Sequence, residues 1–185
     1  GLIHLKGSSY QVNRADLNVE KLLGKVNPYN SNVVLGHSRL ITNGLGDNQP
    51  IVRDNLCVIH NGIIVNEKEV WEKLETTREL KIDSEAIVAI ASEHFKNGGD
   101  ISDVSNKILS LCRGVVACAL FVPELGKIVL FSNNGSLYTG VIGDDIYFAS
   151  EKYALSQIEC ENIKQIKNEA YFIDIPKSDI QLKVR

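Results

Sequence analysis

Short apolar runs separated by turn-forming residues open the chain. Residues 2–5 and 10–12 are largely apolar, and the segment between them has the glycine and serine content of a turn, so the pattern predicts a strand hairpin. A short helix is predicted over residues 17–23, ending at Gly24, because glycine commonly follows the last turn of a helix. Nothing in this hairpin indicates chemistry.

The middle of the chain changes to a helical period. Apolar residues recur three and four positions apart, and the predicted helices cover residues 66–74, 83–98 and 100–111. From Gly114 onward the pattern returns to strands around one short helix. The strands are predicted over residues 115–122, 127–132, 137–142, 146–149, 163–167, 171–175 and 180–184, and the helix over 150–158. Hairpins plus a helical block are typical of an α+β fold with antiparallel sheets, and not of a doubly wound sheet.

The composition is that of one ordinary globular domain, expected to cover residues 1–185. The 20 basic and 23 acidic residues are interspersed and sum to a net charge of −3, so nothing indicates a nucleic-acid or anionic-membrane partner. We therefore expect the partners to be small molecules or other proteins.

The four cysteines lie in apolar stretches or at an element end, with no C-x-x-C pair and no histidine at metal-ligand spacing. We expect reduced thiols in a cytoplasmic protein, with no metal and no cofactor. The longest apolar run, residues 115–122, is too short to cross a bilayer. The sequence contains no methionine, from which we expect that translation does not begin at Gly1.

Two neighbouring apolar runs end in polar residues that core packing does not require. Residues 33–35 lead into Arg39, and residues 56–59 lead into Asn61 and Gly62. Asn-Gly between apolar runs is the strongest short signal for a type I′ hairpin, which needs no function at all. The sequence pattern alone favours that hairpin.

Five motifs follow one another along nearly the whole chain. They are G-H-S-R-L-I-T-N-G at residues 36–44, H-N-G-I-I at 60–64, I-D-S-E at 82–85, L-C-R-G at 111–114 and F-A-S-E at 148–151. In order and spacing they resemble the landmarks of the glutaminase domain of class II glutamine amidotransferases, the N-terminal-nucleophile family, and most closely its glucosamine-6-phosphate synthase branch. The resemblance implies a four-layer αββα sandwich, which the pattern alone does not specify.

The resemblance also implies roles for individual residues. Hydrolysis of the glutamine side-chain amide requires a nucleophile, a base, donors to the oxyanion and groups that hold the substrate's α-carboxylate and α-ammonium. Arg39 is implied to bind the carboxylate with its planar fork, and Asp83 to bind the ammonium. The Asn61 side chain and the Gly62 N–H are the implied oxyanion donors. The alternatives are an exposed strand-end arginine and a helix N-cap aspartate.

Further expectations concern the surroundings of these residues. Thr42 and Asn43 are expected to line the pocket with backbone groups. Leu40 and Asn43 stand where the family commonly has tryptophan and histidine, so the covering loop is expected to close differently. His37 and His60 are expected to be structural, because nothing in the sequence places an acid or a nucleophile beside either.

The family's nucleophile has no counterpart in this sequence. In the family an N-terminal cysteine attacks and its own α-amine serves as base, whereas Gly1 aligns just after that segment, so we expect an N-terminally truncated domain that does not hydrolyse glutamine by itself. The first hypothesis is the glutaminase part of an amidotransferase that delivers ammonia to a synthase domain or subunit, with an acceptor such as a sugar phosphate. The alternative is an inactive module that binds glutamine or only contacts proteins. A homodimer remains open.

Overall fold

The computed structural model describes residues 1–15, 19–38 and 48–184. Residues 183 and 184 are described by their backbone alone. The strands are β1 Leu2–Lys6, β2 Ser9–Arg14, β3 Val34–Gly36, β4 Ile51–Arg53, β5 Leu56–Ile64, β6 Gly114–Val122, β7 Lys127–Ser132, β8 Tyr138–Ile142, β9 Asp145–Ala149, β10 Glu161–Gln165, β11 Tyr171–Asp174 and β12 Asp179–Val184. The helices are α1 Val19–Val26, α2 Glu67–Trp71, α3 Glu85–Lys96, α4 Val104–Leu111 and α5 Lys152–Gln157, and a 3₁₀ turn covers Pro123–Leu125.

A five-stranded antiparallel sheet, in the order β11-β7-β6-β5-β4, is the centre of the domain. Its two long strands, β5 and β6, pair over eight residues, from Cys57 opposite Phe121 to Ile64 opposite Gly114. Successive side chains of a strand point to opposite faces. Both faces of this sheet are therefore available for packing, and both are covered.

Helices α3 and α4 cover one face of the central sheet. Val58 and Leu120 point to this side and are buried in one apolar cluster with Ile87 and Ile90 of α3 and Ile108 of α4. The face of α3 that packs here follows from its apolar residues three and four positions apart.

A second sheet, in the order β12-β2-β1-β3, covers the other face. Tyr10 of β2 meets Phe121 of β6 edge to face, with ring centroids 4.6 Å apart, in the core between the two sheets. Its β1 pairs are antiparallel, whereas β12 joins β2 in parallel, because the last strand returns to this sheet after crossing from β11. The layers thus run helix, sheet, sheet, which are three of the four layers that the resemblance implies.

Most predicted elements occur within a few residues of their expected bounds, and the α+β class with mainly antiparallel sheets is confirmed. The hairpin prediction at Asn61 and Gly62 is wrong. Strand β5 runs straight through both residues, because β6, more than fifty residues away in sequence, pairs with this stretch and keeps it extended. Strand β4 was not predicted.

The cysteine thiols are all free, and three of the four are buried. Among the described stretches of chain, no helix is long and apolar enough to cross a membrane.

Candidate functional site

The structure places three of the six predicted site residues, and the other three lie outside the described residues. Asn61 and Gly62 are exposed in the second half of β5, directly after a buried run of five residues, 56–60. Asp83 is half-buried two residues before α3 begins. The three site residues outside the described ranges are Arg39, Thr42 and Asn43.

Strand β5 is much longer than its neighbour β4. The two strands pair only from Leu56 to Val58, which leaves the rest of this edge of β5 without a strand partner. The Gln49 side chain replaces the missing strand at His60, the position opposite to it if the hairpin register continues. The His60 N–H donates to Gln49 Oε1 at 2.6 Å, and Gln49 Nε2 donates to the His60 carbonyl at 2.8 Å.

Asp83 serves the same edge of β5 at its far end. The Ile64 N–H donates to Asp83 Oδ2 at 2.8 Å. In an antiparallel strand, residues two apart direct their N–H groups to the same edge, so Gly62 lies on this edge between the two side-chain contacts. The fold thus brings Asp83 to the Asn61 and Gly62 segment, as the sequence led us to expect.

The alternative of Asp83 as a side-chain N-cap does not describe the structure. The N-cap residue of α3 is Ser84, and its side chain makes no capping hydrogen bond. The Asp83 carboxylate is directed to β5, where it fixes the start of the helix against the strand.

Gly62 has a backbone and surroundings that only glycine fits. Its φ is +151°, a conformation that residues with a side chain rarely adopt. A Cβ at this position would lie 1.9 Å from the Val115 carbonyl oxygen and 2.8 Å from His60 Nε2. The space that a side chain would need at Gly62 is therefore already filled by Val115 and His60.

The His60 ring lies beneath this exposed segment in a chain of directed hydrogen bonds. His60 is only 2% exposed. Its Nε2 is 3.1 Å from the Val115 carbonyl, which can only accept, so Nε2 carries the proton. Nδ1 therefore accepts from the Ser84 hydroxyl at 3.0 Å, and Ser84 Oγ accepts from Gln49 Nε2 at 3.3 Å. Ser84 Oγ also lies 3.5 Å from Asp83 Oδ1, but His60 Nδ1 is the closer acceptor, so the Ser84 proton is assigned to the ring.

Burial lowers the pKa of the His60 imidazole, partly offset by its hydrogen bond to Val115 and by the negative charge of Asp83. The direction agrees with the neutral ring that the hydrogen bonds require. The sequence placed no acid or nucleophile beside His60, whereas the structure places the Ser84 hydroxyl there. Because Ser84 is only 1% exposed, that hydroxyl is positioned to orient the ring and not to attack a ligand.

A buried ion pair, missed by the sequence analysis, holds the segment that leads to Asp83. Arg53 Nη1 lies 2.9 Å from Glu85 Oε1, and Glu85 is 2% exposed. The Glu85 carboxylate also accepts from the N–H groups of Glu79 and Leu80. One carboxylate thereby ties β4, α3 and the loop before Asp83 together.

Comparison with known proteins identifies the family of this chain. A family model described as glutamine amidotransferase domain matches residues 37–157, well over half of the chain. The chain therefore belongs to the glutamine amidotransferase domain family, and the resemblance seen in its motifs is confirmed.

Its similar curated relatives include proteins named glutamine-fructose-6-phosphate aminotransferase (isomerizing). The protein of Helicobacter pylori J99 is 26% identical over 161 residues, covering 75% of this chain and 27% of the relative. That of Sulfolobus acidocaldarius is 27% identical over 161 residues, covering 82% of this chain and 27% of the relative. The chain thus spans little more than a quarter of the length of these relatives.

Solved structures show the fold. The glutamine phosphoribosylpyrophosphate amidotransferase of B. subtilis, complexed with ADP and GMP, superposes with a TM-score of 0.72 at 18% identity, covering 94% of this chain and 42% of that one. A structure described as the allosteric regulatory enzyme of purine biosynthesis gives a TM-score of 0.54 at 20% identity, covering 68% of this chain and 29% of that one. The domain has the fold of an amidotransferase of the N-terminal-nucleophile class.

Gly62→Ala tests the close packing at the exposed segment. We expect a loss of ~1–3 kcal/mol in the free energy of unfolding from the backbone conformation alone, and a further ~1–3 kcal/mol because the Val115 carbonyl must move. Urea unfolding measures the change. Gly7→Ala is the matched control, since Gly7 also has a positive φ, +63°, but nothing within 4 Å of its Cβ position. Equal losses in the two variants would contradict the packing described here.

The lowered pKa of His60 predicts a pH dependence of stability. Unfolded histidine binds a proton near pH 6.5, whereas folded His60 stays neutral below that value, so folding becomes less favourable as the pH falls from about 6.5. His60→Gln removes this contribution. Chemical unfolding between pH 7.5 and 5.5 is expected to show the parent losing its advantage over the variant as the pH falls. A constant difference in stability across this range would mean that His60 keeps an ordinary pKa.

Proposed function

We propose that this domain binds L-glutamine and hydrolyses its side-chain amide to glutamate and ammonia, for transfer to an acceptor on a synthase domain or subunit. The observation that carries the proposal is the edge of β5. There Asn61 and Gly62 are exposed at the end of a buried run, and Asp83 is bound to Ile64 two residues further on.

The exposed pair suits the oxyanion of amide hydrolysis. The tetrahedral intermediate carries negative charge on the former amide oxygen, and preorganised N–H donors stabilise it. The Asn61 side chain offers an NH₂ group, and Gly62 offers a backbone N–H on the edge of β5 that β4 does not pair with. The residue before this pair, His60, is held by the buried network of Gln49, Ser84 and Val115, which restrains the strand next to the proposed donors.

Substrate binding is proposed to use Asp83 and the segment around Arg39. Asp83 Oδ2 accepts from the Ile64 N–H at 2.8 Å, whereas Oδ1 has only a long contact of 3.5 Å with Ser84 Oγ, so Oδ1 is proposed to bind the α-ammonium group. Arg39 is proposed to bind the α-carboxylate, and Thr42 and Asn43 to line the pocket. The α-ammonium group and the side-chain amide of glutamine belong to one amino acid, so the carboxylate that binds the ammonium must lie close to the oxyanion donors. Asp83, bound to Ile64, meets this requirement.

The nucleophile is proposed to come from outside residues 1–185, as the N-terminal cysteine of the family. Burial raises the pKa of the Cys112 thiol to about 12 and raises those of Cys57 and Cys118 as well, so these thiols are poor nucleophiles. Gly1 lies against Gln49, since a Cβ on Gly1 would be 2.0 Å from the Gln49 carbonyl oxygen. A segment preceding Gly1 would therefore enter the domain beside the residue that holds His60.

The acceptor is proposed to be a sugar phosphate. The support is the name of the curated relatives, glutamine-fructose-6-phosphate aminotransferase. A cytoplasmic location and a homodimeric assembly stay predictions.

Asn61→Ala in the full-length gene product tests the proposal. Loss of one oxyanion donor is expected to lower kcat for glutamine hydrolysis on the order of 10²-fold to 10³-fold, with little change in KM. Arg39→Lys is expected mainly to raise KM, because lysine cannot form the bidentate contact. Ammonia release under steady-state conditions measures both.

The control is Asn32→Ala, at an exposed asparagine in the loop before β3. It is expected to leave both constants unchanged. A full-length protein that binds glutamine without releasing ammonia would instead favour the inactive module, and parent-like kinetics of Asn61→Ala would remove Asn61 from the site.

A further inference from the structure

Gln49 makes a set of contacts that the proposed chemistry does not use. The residue is 4% exposed, and its amide is fully engaged by His60 and Ser84. A glutamine side chain that pairs with both the N–H and the C=O of one strand residue does what a neighbouring strand would do. It does so at the residue next to Asn61.

We propose that Gln49 is a positioning residue for glutamine hydrolysis, whose amide replaces a strand partner of His60 and so fixes the donors of Asn61 and Gly62. This inference rests on the proposed function of the same site. Gln49 does not touch the substrate in this account. It acts through His60.

The amide controls His60 in two ways. Its Oε1 and Nε2 hold the backbone at 2.6 and 2.8 Å, which sets the orientation of the peptide that continues into Asn61. Its Nε2 also donates to Ser84 Oγ at 3.3 Å, so the Ser84 proton is directed to His60 Nδ1. Backbone and ring of His60 are therefore fixed by a single side chain.

The ring transmits this order to Gly62. His60 Nε2 lies 2.8 Å from the position that a Gly62 Cβ would occupy, and the same nitrogen donates to the Val115 carbonyl, which lies 1.9 Å from that position. A shift of the ring therefore moves the surroundings of the Gly62 N–H. Displacements near 1 Å in an active site can cost on the order of 10²-fold in rate.

The chain contains a matched control for this contact. Asn66 is 6% exposed, and its amide also pairs with two backbone groups: Nδ2 donates to the Leu111 carbonyl at 2.9 Å, and the Arg113 N–H donates to Oδ1 at 2.7 Å. Asn66 is the second residue after β5, five residues beyond Asn61, and it joins this point to the segment between α4 and β6. Its loss should affect stability without reaching the donors.

The experiment compares Gln49→Met, Gln49→Glu and Asn66→Leu in the full-length protein. Gln49→Met keeps an unbranched chain and removes all hydrogen bonds, and Gln49→Glu keeps the acceptor for the His60 N–H but loses the donor to its carbonyl at neutral pH. We expect kcat to fall on the order of 10²-fold in Gln49→Met and by less in Gln49→Glu, with KM within about twofold. Asn66→Leu should lower the Tm but keep the parental kcat.

A second measurement does not need activity. The ¹⁵N resonance of the Gly62 amide, recorded for each folded variant, is expected to move in the two Gln49 variants and to stay in place in Asn66→Leu. Unchanged kcat and an unchanged Gly62 resonance in Gln49→Glu would overturn the proposal, as would an equal loss of kcat in Asn66→Leu. A parent without glutaminase activity would refute the proposed function, and the Gly62 resonance would then decide the positioning role by itself.

Discussion

The uncovered edge of β5 is the constraint on which the site depends. A strand that extends beyond its neighbour leaves N–H and C=O groups that must find other partners, because an unpaired buried backbone group costs ~1–3 kcal/mol. Here the pairing of β4 with β5 stops at Ile51 opposite Val58. Beyond that pair, the side chains of Gln49 and Asp83 bind the same edge of β5. Side chains thus take the place of a strand along this edge of β5. The proposed oxyanion donors, Asn61 and Gly62, lie between the two side-chain contacts.

This arrangement explains why a rigid core and an exposed reactive segment can adjoin. His60 is the last residue of the continuous buried run in the first half of β5, and its ring stays neutral while it connects Ser84 to Val115. The Arg53 and Glu85 pair adds a second fixed point under the segment that carries Asp83. A buried pair of this kind contributes order more surely than stability, since the desolvation of both charges offsets much of their attraction. The positions of the exposed site residues are therefore set by buried polar contacts, namely those of His60 and of the Arg53 and Glu85 pair.

The sequence predicted the elements well and the network poorly, for physical reasons. The sequence predicted α3 and β6 because each is buried over a continuous stretch, which requires a local run rich in apolar residues. The same local rule misread Asn61 and Gly62 as a turn, because pairing with distant β6 overrides the local preference of Asn-Gly. Asp83 was found through a motif.

Gln49 offered no comparable signal. Its contact with His60 depends on the register of the β4 and β5 hairpin and on a side-chain amide that makes the hydrogen bonds of a neighbouring strand. A hydrophobic pattern shows neither of these. Arg53 and Glu85 were missed for the same reason, since they lie 32 residues apart in sequence. The polar contacts that support a site are non-local, whereas the residues that form it often stand in short motifs.

The most direct test of the account is a crystal structure of the full-length protein with L-glutamate, the proposed product, bound. We predict the side-chain carboxylate of the ligand within hydrogen-bond distance, about 2.7–3.2 Å, of both Asn61 Nδ2 and the Gly62 N–H. The same structure should show the ligand ammonium on Asp83 Oδ1, with Oδ2 still on the Ile64 N–H, and the α-carboxylate on Arg39. A ligand bound elsewhere, or a Gly62 N–H turned away from it, would contradict the account.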